Sequence, residues 1–123
     1  MTVEETLRQT LLADSNVNAL LGTRIYPLLI PQDATLPALA YNKYLGVMQF
    51  THGGAMKPEV AHIQLTCVAR TYNEAKQIQE AIRGAIDGKR VNGMVIFVTN
   101  TRDDFARVGE ESVVRLDIRV YFE

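Results

Sequence analysis

The chain has 123 residues, 47% of them hydrophobic, and a formal net charge of −1. That length fits a single domain, residues 1–123, with a core that buries about two-thirds of the unfolded surface. The near-neutral balance excludes a strong global attraction to nucleic acid or to an anionic membrane.

Thr2, with Glu5 three residues on, predicts a capping box, in which two side chains satisfy backbone N–H groups at a helix start. Val3, Leu7 and Leu11 then form one helical stripe up to about Ala13. Asp14-Ser15-Asn16 interrupts this helix and caps a short second one carrying Val17, Leu20 and Leu21, closed by Gly22. Ile25-Tyr26 is too short for more than a brief extended piece. Pro27, Pro31 and Pro37 keep the following chain out of helix. That connection has few charges, so it is expected to lie over the core.

Ala38–Leu45 predicts the first long strand, continuing toward Phe50. Thr51–Lys57, holding Gly53-Gly54 and ending at Pro58, reads as the loop of a hairpin. The next stretch, Glu59–Asp87, organises the chain. Along Val60–Ala69, Ile63, Leu65, Cys67 and Ala69 alternate with His62, Gln64 and Thr66, and only Val68 breaks the pattern. At Thr71 the period turns helical. Ala75, Ile78, Ile82, Ala85 and Ile86 form an apolar stripe opposite Asn73, Lys76, Gln77, Glu80 and Arg83. Thr71 and Glu74 make a second capping box, and Gly88 supplies the left-handed residue that ends the helix. Burying Ile78, Ile82 and Ile86 contributes about 1.5–3 kcal/mol each, so packing and not propensity holds the helix.

Val91–Thr101 predicts a third strand with Val95, Phe97 and Thr99 on one face, and Asp103 to Glu111 a polar hairpin connection. Ser112–Phe122 alternates most cleanly. Val114, Leu116, Ile118, Val120 and Phe122 face in; Arg115, Asp117, Arg119 and Tyr121 face out. The element order α-β-β-α-β-β predicts an α+β fold, a four-stranded antiparallel sheet with helices packed on one face. A right-handed crossover through the helix leaves a gap between the second and third strands. The terminal strand fills it, giving the order 1-2-4-3.

The search for chemistry finds little. His62 and Cys67 lie five apart on one strand and project to opposite faces, so they cannot form a nucleophile–base pair unless a bulge intervenes. Asp103-Asp104 and Glu110-Glu111 could hold a hard cation, but Arg102 and Arg107 lie among them and a solvated hairpin end is the simpler reading. Neither a cofactor nor a metal site is expected. A single cysteine makes no internal disulfide, which suits a reducing cytoplasm. No apolar run nears the roughly 20 residues of a membrane span. The N-terminus lacks a basic-then-apolar signal, so an uncleaved protein is expected. The outer sheet face, with His62, Gln64, Thr66, Arg115 and Tyr121, also allows a small RNA- or ligand-binding module, since such sheets stack bases on exposed aromatics. Gly84 inside the helix costs about 1 kcal/mol relative to Ala, which a close neighbour in the fold or in another subunit would explain. Together these features favour a protein that works by contact.

Several segments, taken as a set, are similar to a known family. They are Leu20-Leu21-Gly22 with Arg24-Ile25-Tyr26-Pro27, Pro31-Gln32-Asp33-Ala34 with Leu36-Pro37, Ile63-Gln64-Leu65-Thr66-Cys67, Ala69 to Ala75, and Arg115 to Tyr121. The chain resembles the tail terminator, or tail-to-head joining, proteins of the phage tail-completion family from long-tailed phages with non-contractile tails. It departs where an aromatic often follows the cysteine, here Val68, and at the Gly46–Pro58 loop. The resemblance implies a virion protein without catalysis. Such a protein is assembled in the host cytoplasm as a ring, a hexamer in the family, on the last ring of tail-tube subunits. There it ends tube polymerisation and presents a surface to the head connector. Its expected partners are itself, the tube protein and the connector, with no specific nucleic acid and no membrane. Expected contact residues are Met48, Phe50, Gly53, Gly54 and Met56 in the loop, Arg102, Asp103 and Asp104 at the acidic hairpin, and Arg115 and Arg119 on the outer face.

Overall fold

A computed structural model describes residues 3–31, 33–50, 56–91, 93–105 and 112–122; for 45–50, 56–59, 104–105 and 122 it describes the backbone alone. Helix α1 spans Val3–Ala13 and α2 spans Ser15–Leu21. The predicted break between them is built by Asp14, whose Oδ1 accepts from the N–H groups of Asn16 and Val17, both at 3.0 Å. Gly22 ends α2 with a positive φ of 59° and its N–H donates to the Asn18 carbonyl. Thr2 lies outside the described residues, so the first capping box has no structural counterpart to report.

The sheet has six strands in the order β1-β2-β3-β6-β5-β4. They are β1 Ile25–Pro27, β2 Ala38–Phe50, β3 Met56–Ala69, β4 Lys89–Val91, β5 Met94–Phe105 and β6 Ser112–Phe122. The inner four, β2-β3-β6-β5, are antiparallel neighbours in the expected 1-2-4-3 order. The expectation of a four-stranded, wholly antiparallel sheet fails at the margins. β1 pairs parallel with β2 through Ile25↔Leu39 to Pro27↔Tyr41, and β4 pairs antiparallel with β5. The sheet is therefore mixed, and it curls into a half-barrel. Three-residue strands carry too little alternation to be read as periodic. Tertiary hydrogen bonds define these two. The Leu39 N–H donates to the Arg24 carbonyl at 3.0 Å, and the Gly88 N–H to the Ile96 carbonyl at 2.7 Å. Arg24 pins the same corner, its Nε donating to the Pro37 carbonyl at 2.8 Å.

The long strands reach further than their alternation indicated. β3 begins at Met56 and runs through Pro58, so what read as loop to Lys57 is partly strand, and the connection narrows to 51–55. β5 extends to Phe105, which moves Asp103 and Asp104 out of the expected connection and into the sheet. In both places a polar or proline-bearing stretch is carried by pairing to a strand already in register.

Helix α3, Tyr72–Ile86, crosses from β3 to β5. Thr71 Oγ1 accepts from the Glu74 N–H at 3.2 Å, as the capping box requires; the Glu74 carboxylate reaches back to the N–H of Arg70, not to that of Thr71. Gly88 takes the left-handed conformation at φ 76°. All three helices share one sheet face, and the core lies between. Ile63, Leu65 and Cys67 of β3, Leu116 and Ile118 of β6, and Ile78, Ile82 and Ile86 of α3 are fully buried in one cluster. Leu7, Leu11, Val17 and Leu21 close its N-terminal end. Phe97 shares its face with Val95 as expected, but that face is the outer one, and Met94 and Ile96 supply the core. Gly84 is exposed and, apart from its own helix backbone and chain neighbours, no described atom lies within 4 Å of where a Cβ would sit, so no close approach in the described fold requires it.

Two predictions test this packing. Leu65→Ala and Ile82→Ala should each destabilise by about 2–5 kcal/mol in denaturant unfolding, because both leave cavities between sheet and helix, while Gln64→Ala on the outer face costs under about 0.5 kcal/mol. Equal losses at Gln64 and Leu65 would show the β3 register to be wrong. Burial, with a smaller contribution from the Glu74 carboxylate, pushes the Cys67 thiol up to about 12. The thiolate is the reactive form. Cys67 should label slowly with a thiol reagent in native protein and rapidly in denaturant; fast native labelling would contradict its burial.

Candidate partner-contact surface

The face of the sheet away from the helices is ordered in rows by the strand register. One row is polar: Asn42 of β2, Gln64 of β3, Asp117 of β6 and Asn100 of β5 are successive cross-strand partners. Asp117 anchors it, its Oδ2 accepting from Asn100 Nδ2 at 3.4 Å and lying 4.0 Å from Arg102 Nε. A second row joins Thr66, Arg115 and Arg102. The third is aromatic and basic. His62 pairs with Arg119 and Arg119 with Phe97. Tyr44, pushed out by the bulge after Lys43, brings its ring to 5.9 Å from that of His62. Tyr121 packs edge-on to Phe97 at 5.8 Å. Tyr44 is 54% exposed and Phe97 42%, fractions high for rings with a core available behind the sheet.

The connection from β1 to β2 adds an apolar lip. Leu28 and Leu29 are 68% and 79% exposed and border a groove of about 350 Å³ whose floor includes Ala40, Gln64, Thr66 and Arg115. Leu28 holds a positive φ of 67°, strained for a residue with a Cβ, and its N–H is fixed on the Tyr41 carbonyl at 2.8 Å. Sequence reasoning missed this lip. Its signal was two consecutive leucines between Pro27 and Pro31, in a segment expected to lie on the core.

Of the ten expected contact residues, those whose side chains are described, Arg102, Asp103, Arg115 and Arg119, do not share one face. Arg115 and Arg119 are on the outer face as expected. Arg102 and Asp103 are neighbours in sequence but project to opposite faces. Arg102 joins Asp117, whereas Asp103 turns to the helix side and is held by α3. Its carboxylate lies 2.6 Å from Lys76 Nζ and accepts from the Tyr72 hydroxyl at 2.8 Å, with the Lys76 ammonium 5.4 Å from the Tyr72 ring centroid. These partners, Lys76 first and Tyr72 next, hold the Asp103 carboxyl below the usual carboxylate range. The expected solvated hairpin end with local ion pairs is thus corrected at Asp103, whose partners come from α3. Asp104 is placed by its backbone in β5. Met48, Phe50 and Met56 are placed by backbone in the β2–β3 hairpin, and Gly53 and Gly54 lie outside the described residues. That hairpin lies at the opposite end of the sheet from Asp103. Tyr121 of β6 pairs with Val60, and from Met48↔Pro58 to Phe50↔Met56 the ribbon continues with no third strand among the described residues.

His62 is on the outer face and Cys67 is buried on the inner one, so the two cannot meet. Among the described residues no group of three or more His, Cys, Asp or Glu side chains could hold a metal ion. Among the same residues no helix is long and apolar enough to cross a membrane. What the surface offers is contact: exposed rings, a basic row, an apolar lip and an overhanging ribbon.

Comparison with known proteins bears on this surface. A profile of the family described as Tail completion protein gp17 matches residues 5–123. Among solved structures, a chain of the virion of a native gene transfer agent (GTA) particle superposes with a TM-score of 0.80 at 16% identity, covering 98% of this chain and 94% of that one. At that identity the likeness is one of fold. No curated protein matches this chain significantly.

The α3–β5 tether has a defined pH response. Because the folded Asp103 carboxyl is lowered, its stabilising effect is fully present above the ordinary Asp value, about 4, and is lost as pH falls through the lowered value. In an NMR titration, Asp103 should titrate below its ordinary range in the wild type and move up toward it in Lys76→Met, the Tyr72 hydroxyl keeping part of the lowering. An unchanged titration in Lys76→Met would remove the ammonium as the cause.

Proposed function

This chain belongs to the tail completion protein gp17 family, and on that premise we propose that it caps the phage tail tube, ends its polymerisation and joins the tail to the head connector as a ring oligomer, a hexamer. The family is one of structural tail proteins, not of known enzymes. The proposed partners are further copies of the chain, the tube protein and the head connector. Assembly takes place in the host cytoplasm and the final location is the tail–head junction.

The observation that carries this reading is the overhanging β2–β3 ribbon. A two-stranded ribbon alone is marginally stable in water. Ordering its backbone costs about 1–2 kcal/mol per residue. The stretch holds Val47, Met48, Phe50 and Met56, apolar residues that a solvated ribbon has little reason to carry. Covering them against a partner subunit meets the ordering cost, and methionines repack readily on such a partner. The outer face, with Arg115, Arg119 and the exposed rings, provides a second contact area. The competing reading, a small RNA- or ligand-binding module, draws on the same rings and on Arg119. Against it, Phe97 and Tyr121 pack edge-on to each other, which closes one face of one of the two rings to stacked bases. Salt-sensitive RNA binding by a monomer would favour that module.

Replacing Val47–Lys57 with a short Gly/Ser turn should leave the melting transition cooperative and abolish the joining of purified tails to heads. Tails completed at the normal rate by the shortened protein would sink the proposed role of the ribbon.

A further inference from the structure

The register leaves two backbone margins without a partner strand. β1 covers β2 only from Leu39 to Tyr41, so among the described residues β2 is open on that side from Asn42 to Phe50. On the opposite margin β4 covers β5 from Met94 to Ile96, and the Asp87 carboxylate takes the Val98 N–H at 3.0 Å. From Thr99 to Phe105, β5 is open in the same sense.

The groups that face these margins follow from the bonds already made. The Leu39 N–H and the Tyr41 carbonyl point toward the β1 side, and alternation directs Lys43 the same way. The Ile96 carbonyl and Val98 N–H point toward the β4 side. After the irregularity at Thr99, Thr101 and Asp103, opposite Leu116 and Val114, resume that direction. A row of unpaired N–H and C=O groups is a template for another strand. Irregularities at Tyr44 and between Val47 and Met48 on the β2 side, and at Thr99 on β5, blunt the margins locally, but the ladder continues beyond each of them.

The two open margins also fit each other. Asn42 and Asn100 stand at one level of the sheet, linked through Gln64 and Asp117. From that level the open edge of β2 runs toward Phe50 and that of β5 runs the opposite way, toward Phe105. β1 and β4 occupy the two remaining corners. A second copy shifted along the strands therefore sets its β2 edge beside β5, with its β1 beyond Phe105 and the first copy's β4 beyond its Phe50. Direction agrees as well. β2, β3, β6 and β5 alternate in direction, so a copy in the same orientation offers β5 an antiparallel partner.

We infer that a second copy of this chain docks edge to edge, β2 of one on β5 of the next, carrying the sheet across the subunit boundary by backbone hydrogen bonds. The contact joins two different patches, so it repeats and closes as a ring where the rotation allows. Strand tilt, which accompanies sheet closure, absorbs the stagger. The inference rests on the ring reading above and specifies its interface.

The test uses the full chain. Thr101→Pro removes an outward N–H without touching the β5–β6 ladder, and Thr101→Val keeps that N–H. In light scattering after size exclusion, wild type and Thr101→Val should be multimers, and Thr101→Pro a monomer with unchanged circular dichroism. In hydrogen exchange on the wild type, the Lys43 and Thr101 amides should slow about tenfold or more in the multimer relative to diluted monomer. A Thr101→Pro multimer like the wild type overturns the edge pairing and leaves the ring reading standing. Wild type that stays monomeric alone and on purified tails overturns both. If Thr101→Pro does not fold, exchange decides: unprotected Lys43 and Thr101 amides in the wild-type multimer reject the inference.

Discussion

Everything else in this fold depends on the insertion of β6 between β3 and β5. The crossover through α3 sets β3 and β5 down two strand positions apart, running the same way. The slot between them is lined by backbone N–H and C=O groups under a helix, and unpaired groups there are costly. β6 satisfies both sides at once, from Val60↔Tyr121 to Ala69↔Ser112 on one side and from Met94↔Phe122 to Phe105↔Ser112 on the other. Its Val114, Leu116 and Ile118 complete the apolar floor beneath Ile78, Ile82 and Ile86. The last strand of the chain is thus, with β3, at the centre of the sheet, and the core is complete only with it in place.

That dependence explains which parts of the structure were legible in the sequence. β6 and the β3–α3 unit lie over a one-sided core, so burial imposes periods of two and 3.6 on their side chains. β6 was bounded correctly, and α3 to within a residue. The inner strand order followed from handedness alone. The margins were not legible for the opposite reason. β1 and β4 are fixed by bonds to Arg24 and Gly88, distant or conformational features that leave no period. The sequence grouped Phe97 with Val95 on one face but did not say which face met the core, although a large ring in a strand normally marks it. Here Met94 and Ile96 fill that place, and Phe97 packs with Tyr121 on the outer face.

The candidate surface shows a similar division. Arg115, Arg119 and Tyr121 were found because β6 alternates so cleanly. The bulge at Thr99 then shifts the register of β5, so that Arg102 falls on the outer face and Asp103 on the helix side. The reach of Lys76 to Asp103 across that boundary cannot be inferred from a polar hairpin composition. Leu28 and Leu29 are a different case. Their exposure depends on a left-handed backbone at Leu28 held by the Tyr41 carbonyl, a constraint on one residue that no pattern records.

A protein with a net charge of −1 cannot draw partners together by its overall field, and screening at physiological salt would mute a small one. Its specificity must come from geometry. The short strands β1 and β4 shape that geometry. Among the described residues each covers one end of an edge strand and leaves the other end open, at diagonally opposite corners of the sheet. Full-length edge strands in their places would leave uniform margins able to pair in many registers, the condition for open-ended aggregation. Corners filled on one diagonal admit a neighbour at one stagger. Stagger and tilt are linked in a closed sheet, so one permitted stagger constrains the strand tilt. The proposed edge pairing would thereby fix how neighbouring copies are offset, with no requirement for a charged interface.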